Sequence, residues 1–460
     1  MTEPPQPQQI TLKAGGDRTR VEESEAQAIA QRFQDEIDAA KNGNAAEAVV
    51  TTVDLSCRAW PRSSLEHLRP VLSQVAPTVQ VLQIDDIIAS LPTDEGLESL
   101  EFFAQVFASN KNDDNDESTT NTMVLQEVNL NDNALGTRGD QVLLPLFSLP
   151  SVTKLYLENC GMSAEVAASL CQSLNQKPLT ALKLGRNAMG AAGAEHVQTL
   201  LEQYPSTGTT TGTLQVFHYN GSRPFRSGTR CIVQGLAAMA EDVTETGLVE
   251  LNLYDCTLGD DDDDDNDQST TETLAAAVLR KSPHLKILNL QDSELGAEGL
   301  QTVLQAVADS GAQLTHLHLG GCELGTDGAE CLANFCSTER QPQLLGQLLE
   351  LALDTNELGD EGVATLIPAL VQGALQLQHL DLESNELEKE ATVCLVQNKL
   401  PSLQSLNVAD NMDMPAKWGA KLSALYDEVK IDDDLEDGDD DDDGDEDVNE
   451  LADQLSGAKI

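Results

Sequence analysis

The sequence is poor in aromatic and in basic residues. Aromatic side chains make up 3% of the 460 residues, and 27 Lys and Arg stand against 78 Asp and Glu, which gives a formal net charge of -51 at pH 7. Nucleic acids and anionic membranes bind to positive surfaces, so this charge argues against both as partners. It favours a protein partner with a basic surface, or a role in keeping the chain soluble.

The sequence also lacks any apolar run that could cross a bilayer, and its first residues do not resemble a secretory signal. The nine cysteines are an odd number without such a signal, which predicts free thiols in a reducing compartment. We therefore expect a soluble, monomeric protein in the cytoplasm that does not insert into membranes, with a perinuclear location left open.

No motif for a self-contained active site is present. We find no Ser/His/Asp set, no phosphate-binding Gly-Lys-Ser/Thr loop and no Cys-x-x-Cys pair. His316 and His318 would share one face of a strand, but no third ligand follows from the spacing, so a metal site there is disfavoured. The sequence predicts a protein that is not an enzyme and that binds no metal or cofactor of its own.

A short pattern of leucines recurs along most of the chain. Residues 155–162 read Leu-Tyr-Leu-Glu-Asn-Cys-Gly-Met, in which Leu155 and Leu157 alternate on one face of a strand and Cys160 follows at a turn. A small polar side chain at that turn can point inward and satisfy backbone groups that the bend leaves unpaired. The same pattern starts at Val128, Leu182, Leu251, Leu288, Leu317, Leu351 and Leu380, with a degenerate copy at Leu214 and Val216.

These copies are typical of leucine-rich repeats of the long type, because their spacing leaves room for a helix between strands. We therefore predict an α/β fold: a leucine-rich-repeat solenoid shaped like the ribonuclease-inhibitor horseshoe, with a parallel sheet inside and helices outside. Six glycines follow the last apolar residue of the motif, where they suit the turn into the helix. They are Gly136, Gly190, Gly259, Gly296, Gly325 and Gly359.

Composition divides the chain into five segments. We expect a disordered N-terminus at 1–20, a cap with degenerate first repeats at 21–124, regular repeats at 125–414, a capping helix at 415–430 and a disordered acidic tail at 431–460. Insertions are predicted to be solvated loops at 112–117, 206–213 and 260–265. The last of these is a run of aspartates without the alternating pattern of a calcium loop, so calcium binding is disfavoured.

One position, directly before the inward-pointing residue, recurs at the edge of the predicted inner surface, where solenoids usually bind their partners. Its residues form a polar and mildly acidic row, and a merely solvated edge is the alternative interpretation. We predict partner contacts at Asp132, Arg186, Asp255, Asp292 and Thr355. The same position also holds Asn159, Gly321 and Ser384.

Three stretches resemble the Ran GTPase-activating proteins, especially those of plants and other non-animal lineages. Residues 128–136, Val-Asn-Leu-Asn-Asp-Asn-Ala-Leu-Gly, are similar to the family's L-N-L-S-D-N-A-L-G. Residues 155–161 resemble its L-Y-L-x-N-x-G, and residues 185–187 resemble its G-R-N. The number of repeats and the acidic C-terminus also agree, so the resemblance covers most of the chain. The N-terminal targeting domain of the plant members is not expected here.

The resemblance implies that the protein stimulates GTP hydrolysis by the small GTPase Ran in its GTP form, in support of nucleocytoplasmic transport. GTP and magnesium would be bound by that partner. Family members use an asparagine of the L-Y-L-x-N-x-G stretch to orient the glutamine of the GTPase, and Asn159 matches that position. An amide can donate and accept hydrogen bonds, so it could hold such a glutamine over the attacking water.

One departure from the family leaves a second hypothesis open. Members carry Gly-Arg in a stretch that corresponds here to residues 86–92, where Ser90 and Leu91 stand instead. Arg58, Arg223 or Arg226 could replace that arginine in space. The alternative function is a non-catalytic leucine-rich-repeat scaffold that binds proteins. A weaker third interpretation, from the charge alone, is an inhibitor of a basic enzyme.

Overall fold

The computed structural model describes residues 8–42, 49–88, 90–108, 124–204, 214–241, 244–259, 269–336, 344–411 and 416–431. The three insertions predicted as solvated loops and the acidic tail beyond residue 431 lie outside these ranges. The expectations for them therefore stay predictions.

Within these ranges, fourteen parallel strands form a single open sheet, and each strand pairs with the next one in the sequence. Neighbouring strands keep the same register, so Leu155 lies between Val128 and Leu182. The strands are β1 Gln9–Lys13, β2 Val49–Asp54, β3 Val81–Gln83, β4 Glu127–Asn129, β5 Lys154–Tyr156, β6 Ala181–Lys183, β7 Val216–His218, β8 Glu250–Asn252, β9 Ile287–Asn289, β10 His316–His318, β11 Glu350–Ala352, β12 His379–Asp381, β13 Ser405–Asn407 and β14 Glu428–Lys430.

A helix follows every strand up to β13, and helices of successive repeats pack side by side. The α/β leucine-rich-repeat solenoid predicted from the sequence is thereby confirmed. The helices are α1 Glu23–Asn42, α2 Arg62–Val75, α3 Thr93–Phe107, α4 Gly139–Phe147, α5 Ala164–Leu174, α6 Gly190–Glu202, α7 Phe225–Met239, α8 Thr270–Thr273, α9 Gly296–Ser310, α10 Gly325–Cys336, α11 Gly359–Gly373, α12 Lys389–Gln397 and α13 Ala416–Leu425. The short α8 continues as a π turn at Leu274–Val278 and a 3-10 turn at Leu279–Lys281.

The interior is built mainly from leucines that point inward from the strands. Leu155 and Leu157 are buried, while Tyr156 between them is half-buried on the opposite, inner face of the sheet. Side chains alternate along a strand. Each repeat therefore buries two apolar side chains in the core, and the side chain between them lies on the opposite face of the sheet, which we call the inner face. Each buried leucine contributes roughly 1.5–3 kcal/mol to the free energy of unfolding, and this gain depends on a neighbouring repeat that covers it.

The degenerate repeat forms a regular strand, but in a different register from the predicted one. β7 brings Phe217 into line with Leu251, and both Phe217 and Tyr219 are fully buried. The prediction of an inward pair at Leu214 and Val216 is therefore wrong, since Leu214 is the apolar residue that precedes the strand. A search for leucines alone misses the true pair, because two aromatic side chains fill the same space.

A side chain that points inward closes the bend after each strand. At Asn356, the amide nitrogen donates to the carbonyls of Leu319 at 2.7 Å and Leu353 at 3.0 Å. The amide oxygen accepts from the backbone N–H groups of Cys322 and Leu324. We call this set the inward ladder, and its other members are Asn133, Cys160, Asn187, Ser222, Cys256, Ser293, Cys322, Asn385 and Asn411.

The sheet begins inside the segment that was predicted to be disordered. β1 lies within residues 1–20 and pairs with β2, and Leu12 is fully buried. Arg58, at the ladder position of the next repeat, is buried and forms an ion pair with Glu25 at 2.7 Å. The prediction is therefore wrong for residues 8–20, because the apolar side of β1 covers the end of the core.

The sheet also ends later than predicted. The segment 415–430, predicted as a capping helix, contains α13 and then β14, whose Val429 lies beside Leu406 of β13. Leu422 of α13 is fully buried, as a cap requires. At its two inward positions this repeat has Val429 and Ile431, both partly buried against the core, and so it carries no leucine pattern that the sequence could reveal.

Replacing Asn356 with alanine should lower the free energy of unfolding by roughly 2–4 kcal/mol, because buried backbone groups in two repeats lose their partner. Asn356→Cys installs a residue that other repeats carry at this position, so it should be less destabilising. Urea titrations followed by circular dichroism would measure both variants. Equal stability of Asn356→Ala and the wild-type protein would contradict the role of the ladder.

Candidate functional site

The predicted contact residues all occupy the same position in successive repeats. Its members have a positive φ of 51–61°, and the backbone N–H of most of them donates to a carbonyl of the next repeat, as Asn159 does to Gly185 at 2.9 Å. This left-handed residue lets the following side chain turn inward, so its own side chain points out at the edge where the strands end. We call it the edge row: Cys57, Asp86, Asp132, Asn159, Arg186, Gly221, Asp255, Asp292, Gly321, Thr355, Ser384 and Asp410.

Asn159 lies exposed on the edge row, next to the buried Cys160. Its amide nitrogen donates to a carboxylate oxygen of Asp132, one repeat earlier, at 2.7 Å. This bond fixes how the amide is oriented and leaves the group accessible from outside. The arrangement suits an amide that has to meet a partner.

Of the predicted contacts, Asp132 touches Asn159, and the others are spread along the edge. Arg186 follows Asn159 on the next repeat, while the exposed Asp255, Asp292 and Thr355 lie three, four and six repeats further along. Parallel strands are about 4.8 Å apart, so Thr355 lies about 29 Å from Asn159 along the sheet. The edge row can therefore meet an extended surface, but these residues do not line one pocket.

The three arginines considered as replacements for the missing family arginine have different environments. Arg58 is buried in its ion pair with Glu25, so it cannot reach a partner. Arg226 is tied to Glu294 at 2.6 Å. Arg223 alone of the three is exposed at the edge, and Leu91 itself packs partly buried against the core.

The sequence reasoning missed a polar cluster on the inner face. His218 lies between Glu158, 3.1 Å from its Nδ1, and Glu250, 2.5 Å from its Nε2. Lys183 approaches Glu250 at 3.4 Å, and its ammonium lies 5.5 Å from the centre of the Tyr156 ring. All five residues flank inward apolar positions of β5 to β8, which was a usable signal. Only the pairing of these strands brings the five together.

The side chains of this cluster favour one another's charged forms. Burial lowers the pKa of His218, but its bonds to two carboxylates outweigh burial and raise the pKa above its ordinary value. The hydrogen bond with His218 lowers the pKa of Glu250 to about 2. Burial raises the pKa of Glu158, but the hydrogen bond with His218 and its charge outweigh burial, so the pKa of Glu158 lies below its ordinary value. A histidine held between two carboxylates in this way suits an ordered surface for recognition of a partner and not proton abstraction.

From β9 to β12 the edge is strongly acidic. Burial raises the pKa of Asp354, and the carboxylates of Asp381 and Asp292 raise it further, so these groups repel one another. A second row of exposed glutamates, all with positive φ, runs one residue beyond the inward ladder. We call this row the acidic edge: Glu294, Glu323, Glu357 and Glu386.

The part of the chain that the structure describes contains no group of three or more His, Cys, Asp and Glu side chains placed to hold a metal ion. His316 and His318 instead approach one carboxylate, that of Glu350, at 3.8 and 3.2 Å. None of the described helices has the length and apolar composition to cross a membrane.

Comparison with known proteins agrees with the repeat architecture. Residues 281–304 and 313–333 match the family described as Leucine Rich repeat. The chain is 30% identical to the ribonuclease inhibitor of Sus scrofa over 307 residues, which cover 62% of this chain and 62% of that protein. It is 27% identical to the ribonuclease inhibitor of Mus musculus over 292 residues, covering 62% and 51%.

A third relative has a different name. The chain is 27% identical to NACHT, LRR and PYD domains-containing protein 5 of Bos taurus over 265 residues, covering 57% of this chain and 22% of that protein. The matches thus span less than two thirds of each of these relatives. They support repeats related to those of ribonuclease inhibitor, and they do not point to the Ran GTPase-activating proteins.

Replacing His218 with glutamine should remove a stabilisation that depends on pH. Because the pKa of His218 is raised in the fold, this stabilisation is complete below the unfolded value of about 6.5 and is lost as the pH rises through the folded value. The difference in free energy of unfolding between wild type and His218→Gln should therefore be largest in mild acid and shrink towards alkaline pH. Urea titrations at several pH values would measure it.

A second measurement separates this effect from packing. The ring signal of His218, identified by its loss in His218→Gln, should titrate at higher pH in the wild type than in Glu250→Gln, since one carboxylate partner is then gone. An NMR titration that gave the same pKa in both proteins would contradict the ion-paired cluster.

Proposed function

We propose that this leucine-rich-repeat protein, which is related to ribonuclease inhibitor, is a non-catalytic scaffold that binds another protein along its inner face and edge. It works as a monomer in the cytoplasm and needs no cofactor of its own.

The observation that carries this proposal is the long, open and polar inner face of one continuous sheet. Side chains on this face are held by neighbours in adjacent strands, as in the ion pairs of Lys13 with Asp54 at 2.7 Å and Lys154 with Glu127 at 3.3 Å. A surface that is ordered before binding loses less conformational entropy when a partner docks. Extended inner surfaces of this kind are the usual binding faces of solenoids.

The charge of the surface favours a partner with a basic patch. The acidic edge and the carboxylates of Asp292, Asp354 and Asp381 lie on successive repeats, so their fields add. At physiological salt the screening length is about 8 Å, which confines the attraction to short range but still speeds encounter and selects orientation.

A photo-crosslinking amino acid at Ala352, on the inner face of β11, should capture a discrete protein partner in an extract of the source cells. The same amino acid at Gln301, exposed on helix α9, should not capture it. Mass spectrometry of the adducts would compare the two positions, with unlabelled wild-type protein as competitor. Equal capture at both positions, or capture that the competitor does not reduce, would reject binding by the inner face.

A second candidate function is stimulation of GTP hydrolysis by Ran, and the position of Asn159 favours it. Its amide is exposed and oriented by Asp132 at 2.7 Å, which suits a group that must hold a partner's glutamine. In this function the partner binds GTP and magnesium, and Asn159 only positions the partner's glutamine. Arg223 is the cation available at the same edge, since Leu91 stands where the family has arginine.

Under this second candidate, Asn159→Ala should lower the rate of GTP hydrolysis by Ran on the order of a hundredfold without loss of stability, because one positioned amide is removed. Ser384→Ala, at the same edge-row position seven repeats away, should leave the rate unchanged. Single-turnover hydrolysis with Ran loaded with GTP would measure both. Wild-type protein that binds Ran but does not accelerate hydrolysis would leave only the scaffold function.

A further inference from the structure

Phe225 is unusual both in its backbone conformation and in its exposure. It begins α7 with a φ of 55°, and its side chain is 70% exposed. A bulky side chain is strained in this left-handed conformation, and an exposed aromatic ring gains nothing from folding. Five other repeats have glycine at the corresponding turn, with φ of 56–63°: Gly136, Gly190, Gly296, Gly325 and Gly359.

The backbone around Phe225 is fixed, so the ring does not belong to a loose loop. Ser222 and Pro224 are buried, and Arg223 and Phe225 between and after them point outward. The carbonyl of Phe225 accepts a hydrogen bond from the hydroxyl of Thr229 at 3.0 Å. The fold therefore holds the backbone that carries this ring in one conformation and leaves the ring exposed to solvent.

Two exposed arginines lie on the same edge. Arg186 and Arg223 both have positive φ, and a Cβ added to Gly221 would lie 3.2 Å from Cγ of Arg186, so the stem of Arg186 runs along the next repeat. In the described ranges, no ion pair within 4.0 Å joins either of them to another residue, although the charge of Arg223 acts on Asp255 and that of Arg186 on Glu158. Arg226, in contrast, forms an ion pair with Glu294. We call Arg186, Arg223 and Phe225 the Arg–Phe ridge.

We propose that the Arg–Phe ridge docks an acidic protein segment that carries an apolar cleft or side chain. The ring of Phe225 enters the apolar part, and the two guanidinium groups meet carboxylates beside it. This contact rests on the scaffold function proposed above and adds to it the chemistry of one partner segment.

The composition of the ridge is that of a binding hot spot. Aromatic residues and arginine are enriched in the centres of protein interfaces, where an anchored ring and charge-assisted hydrogen bonds dominate affinity. The ridge lies on the β6 and β7 repeats, and the β8 repeat with its exposed Asp255 separates it from the acidic edge that begins after β9. Opposite charges on neighbouring repeats allow a partner of mixed charge to bind in one orientation and not in the reverse.

A phage-displayed library of random peptides, selected on the full-length protein, tests this assignment. Selection should enrich peptides that combine acidic residues with at least one large apolar residue. Fluorescence anisotropy with an enriched peptide should then show affinity at least about tenfold weaker for Phe225→Gly and for the double variant Arg186→Gln, Arg223→Gln. Leu375→Ala, which removes another exposed apolar side chain, should bind like the wild type.

Phe225→Gly also controls for folding. It installs the residue that other repeats use at this turn, so its melting temperature should equal or exceed that of the wild type. Weaker peptide binding by this variant is then a lost contact and not a lost fold.

Three results would overturn the proposal: no enrichment of peptides, enriched peptides without acidic residues, or equal binding to wild type and Phe225→Gly. Deletion of residues 432–460 adds a further test. If the acidic tail normally occupies the ridge, its removal should raise peptide affinity tenfold or more, and the proposal of an external segment as the occupant would then be wrong. If the ridge fails while crosslinking at Ala352 persists, the scaffold function stands without it.

Discussion

The buried side chain that points inward after each strand is the constraint on which the rest of the structure depends. A strand that bends towards its helix leaves carbonyl and N–H groups without partners, and members of the inward ladder such as Asn356 take up those groups in two repeats at once. To turn that side chain inward, the residue before it must adopt a left-handed conformation. The exposed edge row is therefore a geometric consequence of the buried ladder, and the stability of the core sets the position of Asn159 and its neighbours.

Packing on the inner face also requires a residue without a side chain, Gly185. Glu158 and His218 are two repeats apart, and the repeat between them has Gly185 at the position of Glu158. A Cβ at Gly185 would lie 2.0 Å from the side-chain oxygen of Asn220. This glycine leaves room for the side chain of Asn220, while Glu158 and His218 meet across the same repeat at 3.1 Å.

The charge pattern divides the edge into two regions. From the β9 repeat onward the edge carries carboxylates that repel one another, and a basic partner would reduce this repulsion. The repeats around β6 and β7 present arginines and the strained, exposed ring of Phe225. The geometry at Asn159 is compatible with both proposed functions, because an oriented amide can act on a GTPase or simply bind a surface.

The repeating pattern was enough to predict the class of fold, the inward role of Cys160 and the outward position of Asn159, since these follow from alternation along a strand and one fixed turn. It was not enough where other residues fill the same space, as Phe217 and Tyr219 do in the β7 repeat and Val429 and Ile431 do in the β14 repeat. The ion-paired cluster at His218 was decided only by the tertiary structure. Its members are separated in sequence, and parallel pairing, which joins each repeat to the next, is what sets the distances between them.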